Sequence, residues 1–385
     1  MKKALTSFSL ALGLAILPIS NTFAQTNQPV LQRIEFSEGF PLGIDDQIWG
    51  TNGDKDALIA SIDNSLRYFN TSKARNDYQN FPIPGITLES VRNSLARFRT
   101  LLVNSDNPQS FQNHVEAEFD FYKSVGHDGL GTVSFTGYFS PAYYGNLVRT
   151  EEYRYPLYRR PWALDRWGTH PTRVQLEGED GQLGSLSPLR GYELVWLRDR
   201  LEAYLMQVQG SGSIILPNGR VMSIGFGGST DYDYVSLGKE LIQDGVIPQE
   251  EMSLPRLIQY FEENPEELSN YIPRNNRFIF FQETFGAPPS GSIGVGVTPD
   301  RSIATDKSIM PPGALALINT EIPYPNETGE LENRLVNRYV LDQDTGSAIR
   351  GAGRVDIYLG SGDLAGDRAG LIDWTGELYY LLLKE

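Results

Sequence analysis

Asp306, Asp344 and Asp356, all in the C-terminal third, are the residues whose surroundings best suit chemistry. Asp306 stands in Ala304-Thr305-Asp306-Lys307-Ser308-Ile309-Met310-Pro311-Pro312-Gly313, Asp344 opens Asp344-Thr345-Gly346-Ser347-Ala348-Ile349-Arg350-Gly351, and Asp356 lies in Arg354-Val355-Asp356-Ile357-Tyr358. The last run predicts a strand over 354–359. Side chains alternate across a strand, so Val355, Ile357 and Leu359 share one face while Asp356 and Tyr358 share the other. An acid is then presented from a rigid element beside an aromatic ring, a setting that suits proton transfer. On pattern alone the blander outcome is commoner: Asp356 turned to water and Asp344 closing an Asx turn with Thr345 and Gly346.

Other reactive residue types offer less. The chain has three histidines, His114, His127 and His170, no cysteine and no His-Glu-x-x-His pattern, so no metal site is expected. Asp342-Gln343-Asp344 begins like a calcium loop, but Gly346 arrives one position early and the twelfth position is Gly353 instead of glutamate. A nucleophile elbow needs glycine two residues before its serine; before Ser211 that place is taken by Gln209. Gly225-Phe226-Gly227-Gly228 lacks the lysine of a phosphate loop and reads as turn punctuation. No cofactor is implied.

The elements that must position these carboxylates fall into three textures. Helical spacing of apolar residues predicts helices over 56–70 and 87–103, with Thr87 as an N-cap, and a third over 109–122. From about Val133 short β-rich runs follow, over 132–139, 154–158, 192–197, 203–208 and 221–226. Helical spacing returns over 234–244, 253–263 and 265–271, before a buried strand over 277–281. Strands over 314–319, 336–342, 354–359 and 378–383 end the chain, with the spacing of a small closed barrel. There is no internal repeat and no low-complexity segment.

At the N-terminus, Lys2 and Lys3 precede an apolar stretch from Ala4 to Ile19 and a small-residue site ending at Ala24, the pattern of a secretory signal peptide. Without its two lysines, 31 basic residues face 48 acidic ones, a net charge of −17. So acidic a chain is no partner for nucleic acid. The absence of cysteine rules out both a disulfide framework and a thiol-borne lipid anchor. The roughly 360 residues beyond the signal exceed what one core organises, so more than one domain is expected.

Three further runs complete a pattern: Thr136-Gly137-Tyr138-Phe139-Ser140-Pro141, Tyr155-Pro156-Leu157-Tyr158-Arg159-Arg160-Pro161 and Val208-Gln209-Gly210-Ser211-Gly212. In this order, and followed by the three aspartate segments, they resemble the membrane-bound lytic murein transglycosylase A family with its C-terminal three-aspartate domain, over roughly Gly129 to Leu383. The resemblance implies a mainly β fold with peripheral helices (α+β), a double-psi β-barrel with a second β-rich domain inserted, and a glycan groove between them. The division expected is 1–24 signal peptide, 25–144 N-terminal helices and first part of the barrel domain, 145–277 inserted domain and 278–385 three-aspartate barrel domain. The activity implied is that of a peptidoglycan lytic exotransglycosylase, a carbon-oxygen lyase of exported, periplasmic or cell-envelope location. Its partners would be peptidoglycan glycan strands and other cell-wall enzymes.

By the same resemblance Asp356 matches the catalytic acid, with Asp344 in support, and Tyr138, Ser140, Gln209, Gly210, Ser211, Asp306 and Tyr358 are candidate glycan contacts. Ordinary glycosidases need two carboxyl groups. Here the muramic C6 hydroxyl attacks C1, so one group suffices, first as acid and then as base. That acid needs a pKa well above about 4, supplied by an apolar groove to which Val355, Ile357 and Tyr358 are expected to contribute. Two rival readings remain: an aspartic peptidase, since Asp344-Thr345-Gly346 matches its tripeptide but occurs only once, and a non-catalytic peptidoglycan-binding barrel protein.

Overall fold

The computed structural model describes residues 29–34, 43–51, 53–346 and 348–384. The expected signal peptide lies outside the described residues. Three strands come first: β1 (Leu31–Ile34), β2 (Phe119–Ser124) and β3 (Val133–Ser140). Six form a second sheet: β4 (Ala142–Asn146), β5 (Tyr155–Tyr158), β6 (Glu193–Leu197), β7 (Gly212–Ile215), β8 (Val221–Ser229) and β9 (Ile279–Glu283). The chain then returns through β10 (Ser302–Ala304), β11 (Leu315–Pro325), β12 (Leu331–Asp344), β13 (Arg354–Ser361) and β14 (Asp373–Leu383).

The first sheet runs β14-β11-β12-β10-β13-β3, and β3 pairs back to β14, closing a six-stranded barrel. Closure leaves those six strands without an open edge. Both β10–β12 and β13–β3 are parallel, and the remaining barrel pairings are antiparallel. One strand does two jobs: the first residues of β14, Asp373–Gly376, pair with β3, while Tyr379–Leu383 pair with β2, which carries β1 in turn. The second sheet, ordered β5-β6-β4-β7-β8-β9, is entered directly from β3 through Pro141, so the barrel is interrupted by an inserted β-rich body as expected.

The N-terminal helices buttress the barrel. The stripes Leu58 and Ile62 on helix Lys55–Phe69, and Val91, Leu95, Phe98 and Leu102 on helix Leu88–Asn104, belong to one buried cluster with Leu317, Tyr339 and Val355. Phe98 is the knot, with ring centroids 5.2 Å from Phe111, 6.1 Å from Phe119 and 4.9 Å from Tyr339. Pairs of this kind contribute about 1 kcal/mol each beyond area burial. Thr87 caps its helix as expected, accepting from Ser90 N–H at 3.0 Å while Ser90 returns the bond. A buried ion cluster also ties the N-terminal segment down: Arg301, fully buried, donates to Asp45 and Asp54.

Two of the predicted elements differ from expectation. The run 203–208 is helix, part of Arg200–Gln209, capped by Asp199 and stopped by Gly210 in the left-handed conformation at φ 75°. It lies between two cores, Ala203 and Met206 facing one and Leu201 and Leu205 the other. A helix buried on both sides loses the amphipathic stripe and mimics a strand run. The third helix stops at Glu118, four residues short, because Phe119 and Phe121 alternate inward as β2. Among the described residues no helix is long and apolar enough to cross a membrane.

Candidate active site

Asp356 and Asp344 are brought together by β10. Ala304 is the register partner of both, Asp344 on its parallel neighbour β12 and Asp356 on its antiparallel neighbour β13. Two strand spacings separate the carboxylate-bearing backbones, roughly 10 Å. On its other side Asp356 is paired with Thr136 of β3, so it sits mid-barrel on a strand held along both edges. The predicted alternation is correct: Val355, Ile357 and Leu359 are buried in the core. That corrects one expectation, for Val355 and Ile357 point away from Asp356 and cannot line its surroundings; Tyr358 shares its face.

The Asp356 side chain is 20% exposed, and its Oδ1 is buried with no hydrogen-bond partner. Burial pushes its carboxyl up to about 6; Arg354 opposes that rise, and the charge of Asp344 adds to it. Desolvation dominates because a charged carboxylate lacks the donors that water would supply. A carboxyl in this state can carry a proton near neutral pH and release it to a reacting group.

Asp344 differs. Its Oδ2 accepts from Tyr138 O–H at 2.8 Å, and its Oδ1 from the N–H groups of Ser292 at 2.9 Å and Thr345 at 2.8 Å. Burial raises its carboxyl above the ordinary range against the pull of these donors. Its function in the structure is to hold Tyr138 and the 292 loop. The Tyr138 ring lies 5.2 Å from that of Tyr358, tilted by 46°. From Tyr358 a chain of hydroxyls leads to the inserted body: Tyr358 to Ser140 at 3.3 Å, then Ser140 to Ser211 at 2.9 Å. Gln209 accepts from the Phe139 N–H at 3.3 Å, and Gly210 makes the turn between Gln209 and Ser211.

The structure therefore gathers Tyr138, Ser140, Gln209, Gly210, Ser211, Asp344, Asp356 and Tyr358 where the barrel and the insert meet. They are not equally accessible. Ser140 and Tyr358 are each 2% exposed, with their hydroxyls used inside the protein, whereas Tyr138, Gln209, Ser211 and both aspartates are part-exposed. Asp306 stands apart as a turn acid, accepting from Ser308 N–H, Ser308 O–H and Gly351 N–H, with Arg350 at 4.0 Å. Burial alone would raise it, but these partners outweigh burial and hold it below the usual carboxylate value.

Four residues were not singled out in the sequence as site residues. Asp342 is fully buried and accepts from Thr305 and Tyr380 hydroxyls, each at 2.7 Å, and from the Lys307 ammonium. Lys307 also donates to the Asp344 carbonyl, bracing the strand end that carries the second aspartate. Arg354 Nη2 lies 3.5 Å from Asp356 Oδ1 and donates to Thr136 Oγ1 at 2.9 Å. The signal for Asp342 was present: a lone charge following the apolar run Tyr339-Val340-Leu341. Burial raises the Tyr234 hydroxyl of the insert, with a smaller contribution from the Asp356 charge. Among the described residues no group of histidine, aspartate or glutamate is arranged to hold a metal ion.

Comparison with known proteins follows the same outline. A model of the MltA specific insert domain matches residues 134–282, and a model of the 3D domain matches residues 301–382. Membrane-bound lytic murein transglycosylase A of Escherichia coli (strain K12) is 32% identical over 264 residues, 68% of this chain and 69% of that protein. The protein of the same name from Vibrio cholerae is 32% identical over 263 residues, 67% of this chain and 68% of its own. Among solved structures, E. coli MltA with bound chitohexaose superposes with a TM-score of 0.69 at 26% identity, covering 93% of this chain and 95% of that one.

Proposed function

We propose, from the premise that this chain belongs to the membrane-bound lytic murein transglycosylase A family, that it cleaves the β-1,4 bond between N-acetylmuramic acid and N-acetylglucosamine in peptidoglycan and leaves 1,6-anhydromuramic ends. The observation that supports the mechanism best is the state of Asp356: a carboxyl raised to about 6, with a buried oxygen that no protein donor satisfies. A second carboxylate for water activation is not needed when the nucleophile is the substrate's own C6 hydroxyl.

In this reading Asp356 gives its proton to the glycosidic oxygen as the bond from C1 breaks. Its carboxylate then takes the proton of the C6 hydroxyl as that oxygen closes onto C1. Asp344, engaged by Tyr138, Ser292 and Thr345, orients the Tyr138 wall, and its charge favours the positive character developing at C1. Tyr138, Gln209 and Ser211 are the part-exposed candidates for holding the glycan, and the polymer would lie between the barrel and the insert. Ser140, Gly210, Asp306 and Tyr358 act behind them.

The same reading divides the chain into a signal peptide over 1–24, a barrel domain built from 25–144 and 278–385, and an inserted domain over 145–277. It places the enzyme outside the inner membrane, in the cell envelope, where peptidoglycan and other cell-wall enzymes are its partners. Digestion of purified peptidoglycan by wild type and Asp356→Asn, followed by mass analysis of the muropeptides, tests it. Muramic ends lighter by one water than ordinary reducing ends are expected from wild type and none from the variant. Ordinary reducing ends would make the protein a hydrolase. No release by wild type would make it a binding protein.

A further inference from the structure

Two buried polar atoms on neighbouring side chains of the site go without a partner. Asp356 Oδ1 and Arg354 Nε both lack a hydrogen-bond partner, although Arg354 Nη2 is only 3.5 Å from that same Oδ1. The two side chains are on one face of β13, two positions apart, which brings neighbours of a strand face close. The guanidinium does not swing freely, because Nη2 donates to Thr136 Oγ1 on the adjacent strand at 2.9 Å, and Thr136 is the register partner of Asp356 itself. Arg354 is one-third exposed, so it keeps a wet side from which it can be drawn inward.

We propose that Arg354 is the positioning residue of this site: docked on Thr136, it holds the Asp356 carboxyl group in line and, once the proton has left for the glycosidic oxygen, closes the remaining gap to hydrogen-bond the carboxylate. The inference rests on the reading of Asp356 as the acid given above. The proton moves from Asp356 to the leaving oxygen, which takes the electron pair of the broken C1–O bond. Arg354 keeps its own protons throughout and supplies only charge and direction. When the C6 hydroxyl returns a proton to Asp356, the contact relaxes to its starting distance. A charge-assisted bond formed only after proton loss stabilises the state that follows cleavage more than the resting acid, and this kind of difference lowers a barrier.

The charges that act on Asp356 come from two sides. Arg354 on its own strand favours the carboxylate, and Asp344 on β12 opposes it. β10 presents the uncharged Ala304, and the titratable groups of β3 and the insert that respond to the Asp356 charge are Tyr138 and Tyr234, whose hydroxyls are raised by burial first and by that charge to a smaller extent. Removing Arg354 therefore leaves burial and Asp344 unopposed, and the acid holds its proton to higher pH.

The test uses the full chain acting on uncrosslinked glycan strands. In Arg354→Gln, kcat is expected to fall on the order of tenfold with little change in KM, and the alkaline limb of kcat/KM to move up by about one pH unit. Arg354→Lys keeps the charge and should return the limb most of the way while leaving kcat low, since an ammonium lacks the planar fork. Thr136→Val releases the guanidinium but keeps the strand, and should lower kcat with a smaller limb shift. If Arg354→Gln does not fold, the lysine and valine variants carry the test alone. An alkaline limb unmoved in Arg354→Gln, or, where that one fails to fold, kcat unchanged in both other variants, overturns the inference. Full turnover in Asp356→Asn would instead overturn the reading on which it rests.

Discussion

Replacing Asp356 with asparagine is expected to abolish turnover and, at the same time, to stabilise the fold at neutral pH. The folded protein holds this carboxyl at about 6 against an ordinary 3.8, because burial disfavours its charged form. That gap is a penalty on the order of 3 kcal/mol on the charged state. The sign follows from proton binding. Between 3.8 and 6 the folded state keeps the proton that the unfolded state has lost, so wild type loses stability as pH rises through this window and carries the full penalty above it. Asparagine resembles the protonated acid in shape and has no charge to desolvate. The stability difference between variant and wild type should therefore be near zero at pH 4, grow between 4 and 6, and level off at about 2 to 3 kcal/mol above 7. Denaturant unfolding at pH 4, 5, 6 and 7.5, followed by a probe in the barrel, measures it directly. A variant no more stable than wild type at pH 7.5, or a gain equal at all four values, would refute the idea that Asp356 is a desolvated acid.

Other expectations are simpler. In wild type, kcat/KM for glycan release should fall about tenfold per pH unit above roughly 6, as expected of a single acid that must be protonated; a flat profile to pH 8 would exclude Asp356 as that acid. Tyr138→Phe removes one of three donors to Asp344. Release should drop on the order of tenfold, matching the loss of one hydrogen bond to a charged group, and unchanged release would leave Tyr138 with a packing role only. Asp45→Asn strips a charge from fully buried Arg301, to which Asp54 remains bound. Unfolding free energy should fall by about 3 kcal/mol, while Glu118→Gln at the part-exposed Arg97 pair should cost less than about 1 kcal/mol. Comparable losses in the two variants would contradict that ranking.

The parts of this fold that were readable in the sequence are those where one face is buried and the other wet. Helices Lys55–Phe69 and Leu88–Asn104 keep a clean stripe, and β13 keeps its alternation, so Asp356 and Tyr358 could be assigned a common face. Elements buried on both sides lost that information, as helix Arg200–Gln209 did. Helix Asp363–Leu371 was also missed: it carries Gly366 and Gly370 and packs against β3 and β13 with little amphipathic contrast. At the site, ordered motifs pointed to most of the residues, but not to how each is used. Ser140 and Tyr358 proved to be internal, and the pairing of Lys307 with Asp342 emerged only when β12 and the turn after β10 were seen side by side. Charge pairs that span distant strands leave no periodic trace along the chain.

The double use of β14 bears on when the acid comes into being. Asp356 is flanked by β3, and β3 is fixed in the barrel by Asp373–Gly376, residues separated from it by more than half the chain. During synthesis the early strand must wait, unpaired along that edge, through the whole of the insert. Pairing over such a span is slow, since a long loop must close before any contact rewards it. The strand beside Asp356 is therefore fixed in its barrel place only when the last strand docks. On the reading of Asp356 as the acid, catalytic competence would arrive only with completion of the fold.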